Sequence, residues 1–402
     1  MYKIIIILLS ILSVGEVLGQ SQKDFNWYNQ ETYHLYETQN WKELARVGAD
    51  ALNAGHDFFY LRLRMGIAYY EMEDYRSAQS HFNHALSFNS KDPLTLEYLY
   101  YAYLLSGRQA DAQVLFQRHK ETLINRKVAD PNIPVKSLYL EGGMKISNVD
   151  DDNIDNIHFY HGGLEHQLSG RVNIYHGFSR LTQKITILSE NGGSGQGPPQ
   201  VIENVYDYSQ NEYYLRGKVV LSRGLQFIPS YHFQAVNGID DSFNNNAYHM
   251  ALRKNLGNFD FYLGYGNSDI NYNDQSQWTG GITFYPSGNL NFYLQSDVTY
   301  HKERSEEGES IFYEKAGFKV GQNLSLELTA TFGKMRNIQE MDGFYIWNLP
   351  DIMTSRYGMN AIFPLNNHIN IIGGFTIENR ETIETLFAYR LFTGFISMQY
   401  NL

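Results

Sequence analysis

Three features of the sequence predict an α+β fold in two domains. A 34-residue recurrence runs through residues 25–118, a two-residue alternation runs through residues 137–402, and the connections within that second part alternate between short and long. The first feature predicts an N-terminal α-solenoid. The other two predict a C-terminal antiparallel transmembrane β-barrel of about 14 strands. Composition agrees with this division. The chain holds 32 Tyr and 24 Phe, yet its mean hydropathy is −0.41 and 19% of its residues are charged. A barrel wall with one face in lipid and one in water needs that combination, whereas a helical membrane protein needs long apolar runs. After the first residues no segment approaches 18 consecutive apolar positions. A net charge of −11 disfavours nucleic acid as a partner.

The chain opens with Lys3 and an apolar run from Ile4 to Val14, followed by small or apolar residues at Val17 and Gly19. This pattern predicts a signal peptide over 1–19, too short to span a bilayer. With no cysteine in the sequence, a lipidated cysteine anchor, disulfides and thiolate metal sites are excluded.

Shifting Tyr69–Ala78 by 34 positions places it on Tyr103–Ala112, with Phe82 on Phe116; shifting backwards places Tyr75 on Trp41 and Ala85 on Ala51. The middle copy carries Gly66, Tyr69, Ala78, Phe82 and Ala85, small residues where two helices approach and large ones between them. These residues resemble the tetratricopeptide-repeat family over 25–118, as three copies. The first is degenerate, with Thr32 at the small position and Gly48 in place of Phe. The predicted domain covers 20–124, and Pro131 and Pro134 mark a linker over 125–136. The resemblance implies a concave face lined by the first helix of each pair. That face would carry Tyr33, Tyr36, Ile67, Tyr70, Tyr101 and Leu104 as a partner-binding groove for a periplasmic protein or polysaccharide. The competing reading is that this stripe is packed by the chain itself.

From Ser137 onwards apolar and polar residues alternate. Phe259, Phe261, Leu263 and Tyr265 face away from Asp260, Tyr262 and Gly264; Leu290, Phe292, Leu294 and Val298 face away from Asn291, Gln295 and Asp297. Tight turns are expected at 169–170, 223–224, 256–257, 286–288, 321–322 and 365–366. Longer polar connections are expected at 149–155, 182–208, 237–244, 271–275, 302–309, 335–352 and 379–384. Six short and seven long connections join fourteen strands and leave both ends of the barrel on the short-turn side, the expected periplasmic side of an outer membrane. The last strand ends Ile396-Ser397-Met398-Gln399-Tyr400-Asn401-Leu402 with apolar residues outward. Phe387, Tyr389 and Leu391 have the opposite parity, which predicts a bulge near Thr393-Gly394.

The predicted lumen carries Glu141, Lys145, Arg216, Lys218, Asp297, Lys315, Lys319, Glu327, Glu378 and Arg390. The mixed signs favour neither anions nor cations. They permit two readings, mutual pairing across the wall or a substrate path. His158, His161 and His166 cluster in the second strand, but strand geometry splits them between two faces. The glycine-rich stretch at 192–199 lacks the lysine and following helix of a phosphate loop, and the long 182–208 connection is a candidate plug. No catalytic, metal or cofactor set emerges, so no enzyme activity and no cofactor are expected.

The architecture as a whole resembles two groups, the polysaccharide-export porins with related small barrels, and the surface-lipoprotein assembly modifiers. The resemblance implies outer-membrane lipid around the barrel and either of two roles. The repeat domain captures a polymer or client protein for export or surface display, or it scaffolds an outer-membrane complex around a closed barrel.

Overall fold

The structure, a computed structural model, describes residues 23–149, 156–191, 200–238, 241–304, 306–349, 351–383 and 387–402. The expected signal peptide and the glycine-rich 192–199 stretch lie outside the described residues. The chain forms two compact units, one ending at Ala102 and the other beginning at Tyr103.

The N-terminal region is helical: α1 (Phe25–Glu37), α2 (Trp41–Asn53), α3 (Phe59–Glu71), α4 (Tyr75–Phe88) and α5 (Pro93–Leu105), followed by α6 (Gln109–Arg118) and α7 (Lys120–Asn125). Starts of the odd-numbered helices α1, α3 and α5, and of the even-numbered α2, α4 and α6, each recur every 34 residues. Local chemistry explains the boundaries. Asp24, Asp74 and Asp92 accept the backbone N–H groups of Trp27, Ser77 and Thr95 at 2.8, 3.0 and 2.8 Å, capping α1, α4 and α5. Pro93 opens α5, where its missing N–H costs nothing. Gln39, Glu73 and Gly107 end α1, α3 and α5 in the left-handed conformation. The core of the first unit contains Leu44, Val47, Ala51, Leu61, Met65 and Ala68. Gly66 lets the Phe82 ring lie where a β-carbon would stand at 2.5 Å. Its sequence signature therefore has a steric cause.

The second unit is a closed antiparallel barrel of fourteen strands, β1 (Val135–Ser147), β2 (Ile157–Ser169), β3 (Val172–Asn191), β4 (Gln200–Ser222), β5 (Leu225–Asn237), β6 (Ser242–Leu256), β7 (Phe259–Ile270), β8 (Asn273–Phe284), β9 (Phe292–Glu303), β10 (Glu309–Lys319), β11 (Ser325–Met335), β14 (Ile352–Pro364), β15 (Ile369–Glu381) and β16 (Ala388–Asn401), with β12 (Ile338–Glu340) and β13 (Tyr345–Trp347) forming a separate two-stranded hairpin. β1 (Val135–Ser147) closes the barrel against β16 (Ala388–Asn401), from Ser137 opposite Asn401 to Ser147 opposite Leu391. Glycines in the left-handed region at 224, 257, 288 and 321 make short connections possible at one end. The same end receives residues of α6. The Gly224 N–H donates to the Asp111 carboxylate at 2.8 Å, and Gln113 donates to the Ser169 carbonyl at 3.2 Å.

Large apolar side chains point outward and stay exposed, among them Leu140, Met250, Leu263, Trp278, Val298 and Ile396. Inward side chains are buried and polar, among them His232, Gln234, Asn245, Gln277, His301 and Glu378. This inverts the pattern of a water-soluble sandwich.

Three expectations are corrected. The polar 182–208 segment is mostly strand, because β3 (Val172–Asn191) and β4 (Gln200–Ser222) stay paired out to Asn191 opposite Gln200. The 271–275 connection is a two-residue turn, with Asn271 and Tyr272 both left-handed between β7 (Phe259–Ile270) and β8 (Asn273–Phe284). No bulge interrupts β16, which pairs in continuous register with β1 and with β15 (Ile369–Glu381). Tyr389, Leu391 and Phe395 therefore face inward.

Candidate functional site

The connection between β11 (Ser325–Met335) and β14 (Ile352–Pro364) folds into the lumen as a hairpin of β12 (Ile338–Glu340) and β13 (Tyr345–Trp347). Met341, Asp342 and Gly343 are left-handed in succession and turn it tightly. Its tip meets the wall at several strands. The Asp342 carbonyl accepts from the Tyr214 hydroxyl at 3.0 Å and from the Ser230 hydroxyl, and its carboxylate accepts from Tyr262 at 2.9 Å. The Gly343 carbonyl lies 2.9 Å from His232 Nδ1. Gln277 and Gln339 exchange two hydrogen bonds, of 2.8 and 2.9 Å. Asn348 donates to Gln210 at 2.7 Å, and Arg356 pairs with Glu340 at 2.9 Å. Phe344 packs its ring against His161 and Tyr214. Among the described residues the segment inside the lumen is 336–349, whereas 182–191 and 200–208 belong to paired wall strands.

Of the expected lumen charges, Glu141, Lys145, Arg216, Lys218, Asp297, Lys315, Glu327 and Glu378 lie on the inward face. Lys145 and Glu378 pair at 3.1 Å, Lys315 and Glu327 at 3.4 Å, and Glu141 accepts from the Tyr139 hydroxyl. Gln295 donates to Asp297 at 2.7 Å, and the Arg216 guanidinium lies 5.5 Å from the Tyr175 ring centre. Lys319 is exposed at the short-turn rim. Arg390 is corrected: it sits opposite Asn379, one residue out of phase with inward Glu378, and is exposed on the outer face.

The three histidines do not converge. His161 faces inward, 2.7 Å from the Ser179 hydroxyl and 2.6 Å from the Tyr175 hydroxyl. His158 and His166 face outward, and His166 approaches His176 at 3.0 Å.

The proposed groove stripe also divides. Tyr33 and Tyr101 are exposed, and the Arg64 guanidinium lies 5.1 Å from the Tyr33 ring centre. Ile67 is 3% exposed and belongs to the core, so it is removed from the groove. Tyr36 packs on the core beside Trp41, and Tyr70 meets the Tyr75 and Tyr98 rings edge-on. Burial pushes the Tyr70 hydroxyl up to about 12. Leu104 is partly buried.

Between the hairpin and the long-connection end of the barrel lies a cavity of about 960 Å³. Phe159, Leu181, Tyr313 and Phe395 of the wall and Phe344 and Trp347 of the hairpin line it. The hairpin and this cavity were missed from sequence. Their signal is the run Phe344-Tyr345-Ile346-Trp347 followed by Leu349, which is too apolar for a connection left in water.

No family model matches the sequence, and no curated protein matches it. Among solved structures the chain is similar to the Pseudomonas putida toluene transporter TodX, at 8% identity and TM-score 0.45, over 67% of this chain and 90% of that one. It is also similar to a bacterial polysaccharide outer membrane secretin, at 10% identity and TM-score 0.40, over 67% and 99%. A third is the Acinetobacter baumannii outer membrane protein Omp33, at 9% identity and TM-score 0.35, over 67% and 99%. At these values nothing about substrate or direction follows. The class defined by the geometry is a closed fourteen-strand antiparallel barrel, with its own hairpin folded into the lumen and a helical region before it.

Proposed function

We propose that this chain is an outer-membrane protein whose barrel is held shut and whose N-terminal helices dock a periplasmic partner, so that it works as an anchored scaffold of an assembly. The observation that carries the reading is the inward hairpin, hydrogen-bonded to the wall at several strands. A polymer in transit would have to displace it.

Other features support the remaining parts. The outward apolar surface suits lipid. The 34-residue recurrence of helix starts supports three tetratricopeptide repeats. The chain enters β1 at the short-turn end, the periplasmic end in barrels of this kind. Exposed Tyr33 and Tyr101 supply aromatic surface for an extended protein segment or a glycan. No catalytic step belongs to this function.

Conductance in a planar bilayer tests the closure. The intact chain should give no steady current, and a variant with residues 337–348 replaced by a short glycine-serine link should give a stable open level. A steady ohmic current through the intact chain would refute the closed-scaffold reading in favour of export. Photo-crosslinkers replacing Tyr33 and Tyr101 in cells test the docking. One dominant protein supports a scaffold, a glycan points to polymer handling, and no adduct above that of a probe at Arg46 removes the docking role.

A further inference from the structure

The outer wall of the barrel carries a side chain that does not suit lipid. Glu314 is the middle residue of β10 and points away from the lumen, out of phase with inward Lys315. Across the wall it stands between Ser296 of β9 and Ala330 of β11. It is exposed, and so are Leu294, Val298, Phe312, Leu328 and Phe332 around it. Its hydrogen-bond partner among the described residues is the Ser296 hydroxyl, which donates to it at 2.7 Å. The nearby basic groups are engaged elsewhere, Lys315 with Glu327 inside the lumen and Lys334 with Glu309. A carboxylate on the lipid face is most costly at mid-depth, where hydrocarbon offers neither counter-charge nor hydrogen bond. An ionisable residue kept at such a position marks a functional contact.

The wall is also concave at this point. A groove of about 490 Å³ runs over β8, β9, β10 and β11, with Ser296 and Glu314 in it. Phe284, Leu294 and Leu328 line it beside the small Ala316 and Ala330. Apolar walls around one carboxylate fit an apolar surface that carries one cation.

We propose that this groove receives the membrane-embedded surface of a second, different protein, whose lysine or arginine at mid-depth pairs with Glu314. Depth selects a protein over a lipid. The amines of lipid head groups stay at the interface, about 15 Å from the middle of a bilayer core. Charge selects a different protein over a second copy of this chain. The outward cations Lys254, Lys334 and Arg390 lie beside strand ends, and Arg180, close to the long-connection edge opposite Tyr160, is bonded to Asn211. A second copy therefore offers no cation at the depth of Glu314. The inference rests on the barrel standing in a membrane, as proposed above, and on neither the closed hairpin nor the docking role of the helices.

The test is photo-crosslinking in cells from a probe replacing Ala330, with a probe replacing Ile396 on the opposite part of the outer wall as control. Ala330 should yield one protein adduct and Ile396 only lipid adducts. Glu314→Leu should lower the Ala330 adduct at least tenfold, while the barrel folds as before by its heat-dependent gel shift. Glu314→Lys should also abolish it, and changing the contacted lysine or arginine of the captured protein to glutamate should restore it. Lipid adducts alone from Ala330, an adduct of this chain with itself, or a yield unchanged in Glu314→Leu would each overturn the proposal. So would failure of the charge exchange to restore the adduct. Absence of lipid adducts from Ile396 as well would instead remove the membrane reading beneath it.

Discussion

Replacing Asp342 with glycine should loosen the lumen hairpin by a predictable amount. At least eight hydrogen bonds join the hairpin and its flanks to the wall. At about 1 kcal/mol net each they hold the closed state by about 8 kcal/mol, an open fraction of about one in a million. Asp342 is the one residue at the tip whose carboxylate joins the wall, through Tyr262. Glycine keeps the backbone carbonyl bonds to Tyr214 and Ser230 and tolerates the φ of 60° found there, so only the carboxylate is lost. A hydrogen bond to a charged group contributes about 1.5–3 kcal/mol, which corresponds to an opening population about 10- to 100-fold higher. The cysteine-free chain allows a clean assay. Ile338→Cys places one thiol at a hairpin position only 2% exposed, and its reaction with a water-soluble maleimide reports the open fraction. Asp342→Gly should raise that rate 10- to 100-fold without changing the folded fraction. An unchanged rate would refute the anchoring role of the carboxylate. Fast labelling without the second substitution would refute closure itself.

Three further outcomes follow from the helices and their junction with the barrel. Gly66→Ala drives a methyl to 2.5 Å from the rigid Phe82 ring and should cost about 1–3 kcal/mol in a helix melt followed by circular dichroism. Gly48→Ala, whose nearest neighbours are atoms of the flexible Met65 side chain, should cost less. Burial, with Arg62 and His84 nearby and Asp57 opposing them, pushes His81 down to about 4. Because the folded pKa lies below the unfolded one, His81 contributes stability above pH about 6.5 that is lost as the pH falls towards 4. The helix melting temperature should therefore drop more from pH 6.5 to 5.5 in the natural chain than in His81→Gln, and equal drops would exclude the effect. Asp111→Ala removes the acceptor of the Gly224 N–H and the partner of Arg108 at 2.8 Å. Breaking that buried pair should cost about 3–5 kcal/mol, read as earlier protease cleavage at 119–134.

What was legible in the sequence was what is local. Period-two alternation reports a wall with lipid on one side and polar groups on the other, so the barrel and its strand number could be read along the chain. Reading failed wherever the interior or exterior departed from that rule. β16 appeared to need a bulge because Tyr389 and Leu391 were assumed to face lipid. They face inward, where they line the lumen cavity with Phe387 and Phe395, and the same parity sends Arg390 to the outer face. The ends of β3 and β4 read as loop because exposed Lys184 and Asp207 sit on the outer face there, removing the alternation that would have marked a strand. The hairpin was illegible for a third reason. Its partners Tyr214, Ser230, His232, Tyr262 and Gln277 lie on four different strands, and only the closed barrel brings them together. These departures share one cause. Barrel patterning assumes a water-filled lumen, and a barrel that packs its lumen must place apolar residues inward at the height of the packing. Inward apolar parity near one end of a strand, together with an aromatic-rich connection elsewhere, is therefore a sequence signal for an occluded barrel.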